Sequence, residues 1–280
     1  MNILPIEKDL KWENEITAYV KYIPIAGPSS ISNFRSPDSY VFIFFEKAKG
    51  IHTIDFTNHN EEDRQVHISF PGQLRSWETE ISLGHKLIIS KPFMEKNLLE
   101  TIFSRHQINI TPVINLTMEQ NEMLHNEFML LKQYFQKVDY SELLINLRIQ
   151  LIINLINNIV INNAGEQENN AKIHPIVLNL NTLIEENLEE KRSVHFYAKQ
   201  LAVTPNYLNV LVKRTTGQTA KKHIDSRIVL EAKRRILGTS DSIKTVALDL
   251  GFSSAAFFSS FIFKQTGFHP NQIRNKKPKS

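Results

Sequence analysis

Between residues 39 and 91, hydrophobic residues occur in short β-branched and aromatic runs that are separated by turn residues. We predict one strand for each run, at residues 40–45, 51–56, 66–70, 77–81 and 86–89. Strands of this length and spacing are typical of an antiparallel sandwich or barrel. Residues 1 to about 38 are broken by prolines, so we expect loops and a short initial strand there.

Beyond Pro92 the apolar residues follow a helical period. They predict helices at residues 93–103, 117–136 and 141–161, the second opening with a capping-box pattern at Thr117. The third helix is long and apolar enough to cross a membrane, but Arg148 and several amides within it would be costly in lipid. We therefore expect it either to be buried against the strands or to pair with its mate in a dimer. Residues 162–171 are polar and aperiodic, which is typical of a linker.

One short pattern occurs twice in the last third of the chain. Its first copy is Ala198, Leu201-Ala202, Tyr207-Leu208, Leu211-Val212, Arg214 and Thr216-Gly217, and its second is Ala247, Leu250-Gly251, Phe257-Phe258, Phe261-Ile262, Lys264 and Thr266-Gly267. A repeat with fixed spacing indicates one supersecondary unit used twice. Thr204 before Pro205, and Ser253 or Ser254, are suited to cap a following helix, so each copy predicts a helix-turn-helix.

The second helix of each copy is expected to have one buried and one exposed face. Positions 207, 208, 211 and 212, and likewise 257, 258, 261 and 262, predict the buried stripe. Residues 219–237 between the copies have helical periodicity and predict a rod of about 28 Å. Recognition helices that enter successive major grooves lie about 34 Å apart, so a rod of this size can set their spacing.

Charge differs between the two parts of the chain. From Ala171 onward, 18 Lys and Arg against 8 Asp and Glu give a net charge of +10, whereas the preceding residues carry −6. A charge run alone is usually a solvated face, but together with the repeated helix pattern it favours nucleic-acid binding by the C-terminal part. The absence of cysteine excludes disulfides, thiolate metal sites and Cys nucleophiles. The first residues lack a basic region and a long apolar run, so we do not expect secretion.

Further residues at fixed offsets extend the repeated pattern. They are Lys213-Arg214-Thr215-Thr216-Gly217, Ala232 to Leu237, Ile243, Val246-Ala247, Leu250 to Ser253, Phe257 to Ser259, Lys264, Gly267 and Pro270. With these residues, positions 193–274 resemble the DNA-binding domain of AraC/XylS-type transcription regulators. The resemblance implies a cytoplasmic, sequence-specific regulator of transcription rather than an enzyme. The implied partners are double-stranded DNA, a second copy of the chain and a small effector, with RNA polymerase left open.

The resemblance also implies an α+β organisation. A cupin-like β-barrel or sandwich with its following helices would form a sensor and dimerisation domain at residues 1–161, with strands at 39–91 and helices at 93–161. A linker at 162–171 would lead to an all-α domain at 172–280 with two helix-turn-helix motifs. No membrane contact and no cofactor are predicted.

The expected DNA contacts are unequal in the two copies. Asn206, Asn209 and Lys213 are the candidate base readers of the first recognition helix, whereas the second offers only the small side chains of Ala255, Ala256, Ser259 and Ser260. In the resembled family, basic residues are frequent at the positions of Val210, Ser260 and Phe263. Backbone contacts are expected from Lys213, Arg214, Lys221, Lys222, Lys264, Arg274, Lys276, Lys277 and Lys279. We therefore expect the first copy to read bases and the second mainly to position the domain.

The segment from Phe70 to Trp77 resembles a turn of the cupin-like sensor domains of the same family, with Arg75 where a histidine is common. Arg75 and Trp77 are candidate effector-binding residues, and the alternative is a rim arginine and a core tryptophan. His52, His59, His67 and His85 lack the His-x-His spacing of cupin metal sites, so we predict no metal. Two other functions remain open, a non-specific architectural nucleic-acid-binding protein and a cupin-type enzyme. The missing His-x-His and the lack of a nucleophile–base arrangement argue against the enzyme.

Overall fold

The computed structural model describes residues 19–97, 99, 112–136, 141–166, 174–187 and 193–275. Strands dominate the first part and helices the second. The strands are β1 (Val20–Ala26), β2 (Ser29–Arg35), β3 (Ser39–Ile54), β4 (Thr57–Glu61), β5 (Gln65–Ser69), β6 (Leu74–Ser90) and β7 (Val113–Asn115). The helices are α1 (Lys91–Lys96), α2 (Met118–Gln136), α3 (Glu142–Glu166), α4 (Pro175–Asn187), α5 (Val194–Gln200), α6 (Pro205–Thr216), α7 (Ala220–Gly238), α8 (Ile243–Asp249), α9 (Ala255–Thr266) and α10 (Pro270–Asn275).

The strands form an antiparallel sheet in the order β1-β6-β3-β5-β7, with β2 added to β6 and β4 added to β3. The 16-residue β3 and the 17-residue β6 pair from Ser39 opposite Ser90 to Ile54 opposite Arg75. Two β-bulges interrupt this pairing, because Glu46 in β3 and Glu80 in β6 have no partner in the register. A bulge bends a strand and reverses which side chains face which layer beyond it.

The sheet is more extensive than the sequence pattern predicts. β1 and β2 lie among residues for which loops and one short strand are expected, and β4 is not predicted. The predicted runs 40–45 and 51–56 are two parts of β3, and the runs 77–81 and 86–89 are two parts of β6. The bulge at Glu46 accounts for the split of β3, since it breaks the alternation from which a strand is recognised in sequence, whereas the bulge at Glu80 lies inside the predicted run 77–81.

The two faces of the sheet are covered differently. Tyr40, Phe42 and Phe44 of β3 and Leu87 and Ile89 of β6 pack in one buried cluster with α2 and α3. We call this side the helix-covered face. The opposite side, here called the inner face, carries the smaller apolar cluster Val41, Ile43, Phe45 and Ala48.

Helix α2 begins with the predicted capping box. Thr117 Oγ1 accepts a hydrogen bond from the Gln120 backbone N–H at 3.2 Å, and Gln120 Oε1 accepts one from the Thr117 backbone N–H at 3.0 Å. The reciprocal bonds satisfy two backbone donors that a helix start leaves free. The predicted boundaries of this helix are therefore confirmed within one residue. The helix predicted at 93–103 is described only as the short α1, and most of its remaining residues lie outside the described part of the chain.

Helix α3 has both a buried and an exposed apolar face. Its isoleucines 145, 149, 152, 153 and 156 are buried in the cluster of the helix-covered face. Leu143, Leu147 and Leu151 are exposed instead, by 65, 52 and 42%. By length and composition this helix could cross a membrane, with a mean hydropathy of 1.6, but Arg148 pairs with Glu127 of α2 in this packing. The structure thus places it as a core helix. It continues to Glu166, inside the predicted linker, whose residues 167–171 lie outside the described ranges.

The C-terminal helices share a second core around α7. Ile224, Ile228 and Ala232 of this helix are fully buried together with Leu208 of α6 and Phe258 of α9. The 19 residues of α7 give it a length of about 28 Å. Its bounds agree with the predicted 219–237 within one residue, and Thr219 caps its start. The pair α5–α6 and the pair α8–α9 both pack against it.

Each of these two helix pairs has the same local design. Thr204 Oγ1 accepts from the Tyr207 backbone N–H at 3.2 Å and Ser254 Oγ from that of Phe257 at 3.1 Å, so Ser254 rather than Ser253 is the cap. The tight turn before each cap uses a positive φ, +53° at Ala202 and +68° at Gly251. Alanine adopts this left-handed conformation at an energetic cost that glycine does not have.

Replacing Ala202 with glycine is expected to raise the free energy of unfolding by about 0.5–1 kcal/mol. The gain from removing a left-handed alanine, about 1–2 kcal/mol, is offset in part by the greater freedom of glycine in the unfolded chain. Urea denaturation measures the difference. The matched control is Gly251→Ala in the second copy, which should destabilise by a similar amount. A destabilised Ala202→Gly variant would contradict the assigned strain.

Candidate nucleic-acid interface and ligand site

The exposed face of α6 carries Asn206, Tyr207, Val210, Lys213 and Arg214. Leu208, Leu211 and Val212 form the buried face, as predicted. Tyr207 differs from the prediction, since it is 46% exposed. Residues on a helix are about 100° apart, which puts Tyr207 at the edge of the arc that the three buried residues define. The Tyr207 ring and the Val210 side chain therefore lie among the polar residues of this face.

Asn209 is placed differently from the expected exposed face. It is half-buried, and its Oδ1 accepts a hydrogen bond from the Ala220 backbone N–H at 2.9 Å. This bond satisfies one of the free donors at the start of α7 and fixes α6 to it. Bidentate reading of adenine needs both the oxygen and the nitrogen of the amide. Of the two candidate asparagines of α6, Asn206 lies on the exposed face as expected, and Asn209 does not.

Helix α9 presents a face with little charge. Ala256, Phe257, Ser260, Phe263 and Lys264 are exposed, and the candidates Ala255 and Ser259 are half-buried. Phe257 was expected in the buried stripe but is 59% exposed, at the position equivalent to Tyr207. The ring of Phe263 stacks on His269 with centroids 4.5 Å apart. The exposed face of α9 therefore carries less charge than that of α6, as the sequence suggests.

Some of the basic residues predicted to contact DNA are exposed, whereas other basic residues of this domain form contacts within the protein. Lys221 and Lys222 are exposed at the start of α7, although Lys221 Nζ also lies 2.5 Å from Asp225 Oδ1. Arg274 is half-buried and donates from Nε to the Ile236 carbonyl at 3.1 Å, so it closes the end of α7. Arg235 pairs with Glu231 at 2.8 Å and approaches Asp249 at 3.9 Å. The predicted contacts Lys276, Lys277 and Lys279 lie outside the described residues.

Apart from the helix surfaces, a cluster of basic and aromatic side chains lies on the inner face of the sheet. The Arg75 side chain is buried, the residue being 2% exposed, and its Nε and Nη1 have no hydrogen-bond partner among the described residues. Its guanidinium lies over the Phe34 ring, 5.1 Å from the centroid. Trp77 is half-buried, with Lys86 Nζ 4.6 Å from its ring centroid. Arg75 is therefore not a rim arginine, and Trp77 is not a core tryptophan.

Two histidines adjoin this group. His52 and His67 are fully buried and stacked, with their Nδ1 atoms 3.0 Å apart, and the Trp77 ring meets His52 edge-on. Burial lowers the pKa of His67 to about 3, and burial followed by the proximity of His67 lowers the pKa of His52 well below its usual value. Both rings are therefore neutral at physiological pH. His52 Nε2 has no hydrogen-bond partner in the part of the chain that the structure describes, so this part of the inner face offers a buried cation and a neutral ring nitrogen to a ligand.

Four charged residues join the sheet to α7, and sequence reasoning missed this contact. Arg234 Nε and Nη2 lie 2.8 and 2.5 Å from the two carboxylate oxygens of Asp55, in the turn between β3 and β4. Arg35 of β2 lies 2.7 Å from Glu231 Oε1. We call these four residues the sheet–helix clasp. Their side chains are 7–13% exposed, and Asp55 also accepts from the Leu74 backbone N–H at 3.1 Å.

The chain is similar to a protein-family model and to known transcription regulators. A family model described as a helix-turn-helix domain matches residues 197–276. The transcriptional activator RhaS of Escherichia fergusonii is 22% identical over 131 residues, covering 47% of this chain and 45% of that protein. The match thus spans less than half of that relative.

Two solved structures are also similar. One is an AraC-type DNA-binding-domain regulator from Chromobacterium violaceum, which is 28% identical with a TM-score of 0.35 and covers 41% of this chain and 99% of that one. The other is ToxT from Vibrio cholerae, which is 11% identical with a TM-score of 0.43 and covers 91% and 96%.

Proposed function

We propose that this protein is a transcription regulator of the AraC/XylS type that binds specific DNA sites, because a family model described as a helix-turn-helix domain matches residues 197–276. The observation that carries the proposal is the pair of like-capped helix units, α5–α6 and α8–α9, held on the 28 Å rod α7. In this proposal both units are helix-turn-helix motifs, and α6 and α9 are their recognition helices.

The two motifs divide the work. α6 reads bases through Asn206 and through apolar contacts of Tyr207 and Val210 with thymine methyl groups, while Lys213 and Arg214 hold phosphates. α9 exposes one cation, Lys264, beside alanine, serine and phenylalanine side chains. It therefore positions the domain and contributes little base discrimination. Asn209 fixes the position of α6 by accepting a hydrogen bond from the backbone at the start of α7.

Operator substitution tests both the function and the division. After binding sites are selected from random DNA, single base pairs in each half-site are changed and affinity is measured across salt concentrations. We expect losses of about 1–3 kcal/mol per base pair in the α6 half-site and smaller ones in the α9 half-site. Lys264→Ala should weaken binding to all sequences alike and reduce the slope of log K against log salt by about 0.9.

The outcomes separate the alternatives. Equal losses in both half-sites would contradict the division of labour while keeping the regulator. Failure to select any motif, with similar affinity for random DNA, would favour a non-specific architectural protein instead.

In this proposal the N-terminal residues form a cupin-like sensor domain that ends with α3 at Glu166, and the DNA-binding domain at residues 172–280 follows it. Arg75, Trp77 and His52 supply the chemistry for a small anionic effector with an apolar or planar part. Arg75 and His52 are buried, and each has at least one polar side-chain atom without a hydrogen-bond partner in the described part of the chain, which supports this assignment. Arg75 is paired in the sheet with Ile54, the residue before Asp55, so a ligand that contacts Arg75 lies close to the sheet–helix clasp.

The exposed side of α3 is proposed to pair two chains. Leu143, Leu147 and Leu151 are four residues apart and form one stripe on the helix surface. A stripe of exposed leucines on a core helix is typical of an interface. Sedimentation of the chain as a monomer at micromolar concentration would contradict a homodimer. Cytoplasmic location and contact with RNA polymerase belong to the same proposal.

A further inference from the structure

Glu46, His85 and His125 meet between the helix-covered face of the sheet and α2. His85 Nε2 lies 3.0 Å from Glu46 Oε1, and His125 Nδ1 lies 3.0 Å from Glu46 Oε2. The ligand atoms of the three residues all lie within 4.8 Å of one another. In a tetrahedral zinc site with bonds of 2.0–2.1 Å, ligand atoms are about 3.3 Å apart. The three side chains can therefore converge on one ion with small rotations.

The surroundings orient these side chains as ligands. The His85 ring stacks beside the rings of Phe44 and Phe128 in nearly parallel planes, with centroids 6.0 and 5.0 Å away, and its far nitrogen Nδ1 lies 2.7 Å from the Tyr22 hydroxyl. A metal-bound imidazole commonly has such a partner on its second nitrogen, which fixes the ring and its tautomer. Glu46 is the bulge residue of β3, and the bulge turns its carboxylate toward α2.

The site is open on one side. The His125 side chain is 40% exposed, whereas those of His85 and Glu46 are 4 and 19% exposed. An ion can reach the ligands from the His125 side and keep a water molecule as fourth ligand. The ligands come from β3, β6 and α2, and the histidines are 40 residues apart. This origin explains why the His-x-His criterion, which led to the prediction of no metal, does not detect the cluster.

We infer that Glu46, His85 and His125 form a binding site for one Zn²⁺ ion that joins α2 to the sheet. Two imidazoles and one carboxylate are ligands that suit zinc and other borderline divalent ions. The site lies on the opposite side of the sheet from the proposed effector group, and it does not depend on the function proposed above. The ion would stabilise the packing of the helical layer on β3 and β6.

Calorimetric titration with ZnCl2 and the visible spectrum of the Co²⁺ form test the site, using the full chain prepared without an affinity tag. We expect one ion per chain, a tetrahedral Co²⁺ spectrum, and a rise in Tm of about 5–10 °C at a hundredfold excess over Kd. His125→Asn and Glu46→Gln should each weaken zinc binding at least tenfold. His125 is partly exposed, so its variant should keep the natural far-UV dichroism and metal-free Tm.

One control variant sharpens the result. His195→Asn removes an exposed histidine of α5, outside the cluster, and should leave zinc binding unchanged. No zinc binding by the natural chain, or equal affinity in the natural chain and His125→Asn, would overturn the inference.

Discussion

Replacing Arg234 with alanine is expected to lower the free energy of unfolding by about 3–5 kcal/mol. The guanidinium is almost fully buried and makes two bonds to Asp55, at 2.8 and 2.5 Å. Its removal leaves the Asp55 carboxylate without its counter-charge in a place shielded from water. The same change frees α7 from the sheet, so hydrogen exchange should accelerate at the β3–β4 turn as well as in α7. Urea denaturation and hydrogen exchange measure the two effects.

A neighbouring lysine gives the matched control. Lys233 precedes Arg234 on α7 and lies over the Phe56 ring at 5.5 Å, without a buried carboxylate partner in the described clasp. Lys233→Ala should cost less than about 1 kcal/mol. A double-mutant cycle between Arg234→Ala and Asp55→Ala should give a coupling of about 1.5–3 kcal/mol. A coupling near zero would show that the clasp does not hold the two parts together.

The second large effect is expected at Arg75 and has the opposite sign. Replacing Arg75 with methionine should raise the free energy of unfolding of the ligand-free protein by about 1–3 kcal/mol. Burial destabilises the charged guanidinium and lowers the pKa of Arg75 to about 10, and two of its nitrogens have no hydrogen-bond partner within the described ranges. Methionine keeps much of the volume without a buried charge. The same variant should no longer respond to carboxylate effectors, measured as a ligand-induced shift in Tm.

Arg35→Met is the matched control for this substitution. Arg35 is also largely buried, but it donates to the Gly72 carbonyl at 3.0 Å and pairs with Glu231 at 2.7 Å. Its replacement should therefore destabilise the protein. If Arg75→Met destabilises it to a similar degree, Arg75 supports the fold and the effector assignment fails. If stability rises but carboxylates still shift Tm, the ligand binds elsewhere.

Local patterns in the sequence predicted the elements whose signals are local. The capping box at Thr117, the bounds of α7 and the caps at Thr204 and Ser254 depend on residues within one helical turn. Tyr207 and Phe257 show the limit of such patterns. Each is hydrophobic and lies next to a buried position, yet the helical angle places it at the edge of the core.

The contacts that sequence reasoning missed join residues far apart in the chain. Asp55 and Arg234 are separated by 179 positions, and Glu46 and His125 by 79. Each residue alone is an ordinary surface type, and no local period relates it to its partner. Arg75 was identified as a candidate through its turn, but its burial could not be inferred, because the bulge at Glu80 decides which layer that part of β6 faces.

Because of the bulge at Glu80, the number of residues in β6 decides which of its side chains face the inner layer and which face the helices. Arg75, Trp77 and His85 all have odd numbers, yet Arg75 and Trp77 belong to the inner face and His85 to the helix-covered face. Losing or gaining one residue between Trp77 and His85 would turn one of these groups into the wrong layer while leaving every side chain present. Natural variants of this protein should therefore tolerate substitutions in this stretch far more readily than insertions or deletions.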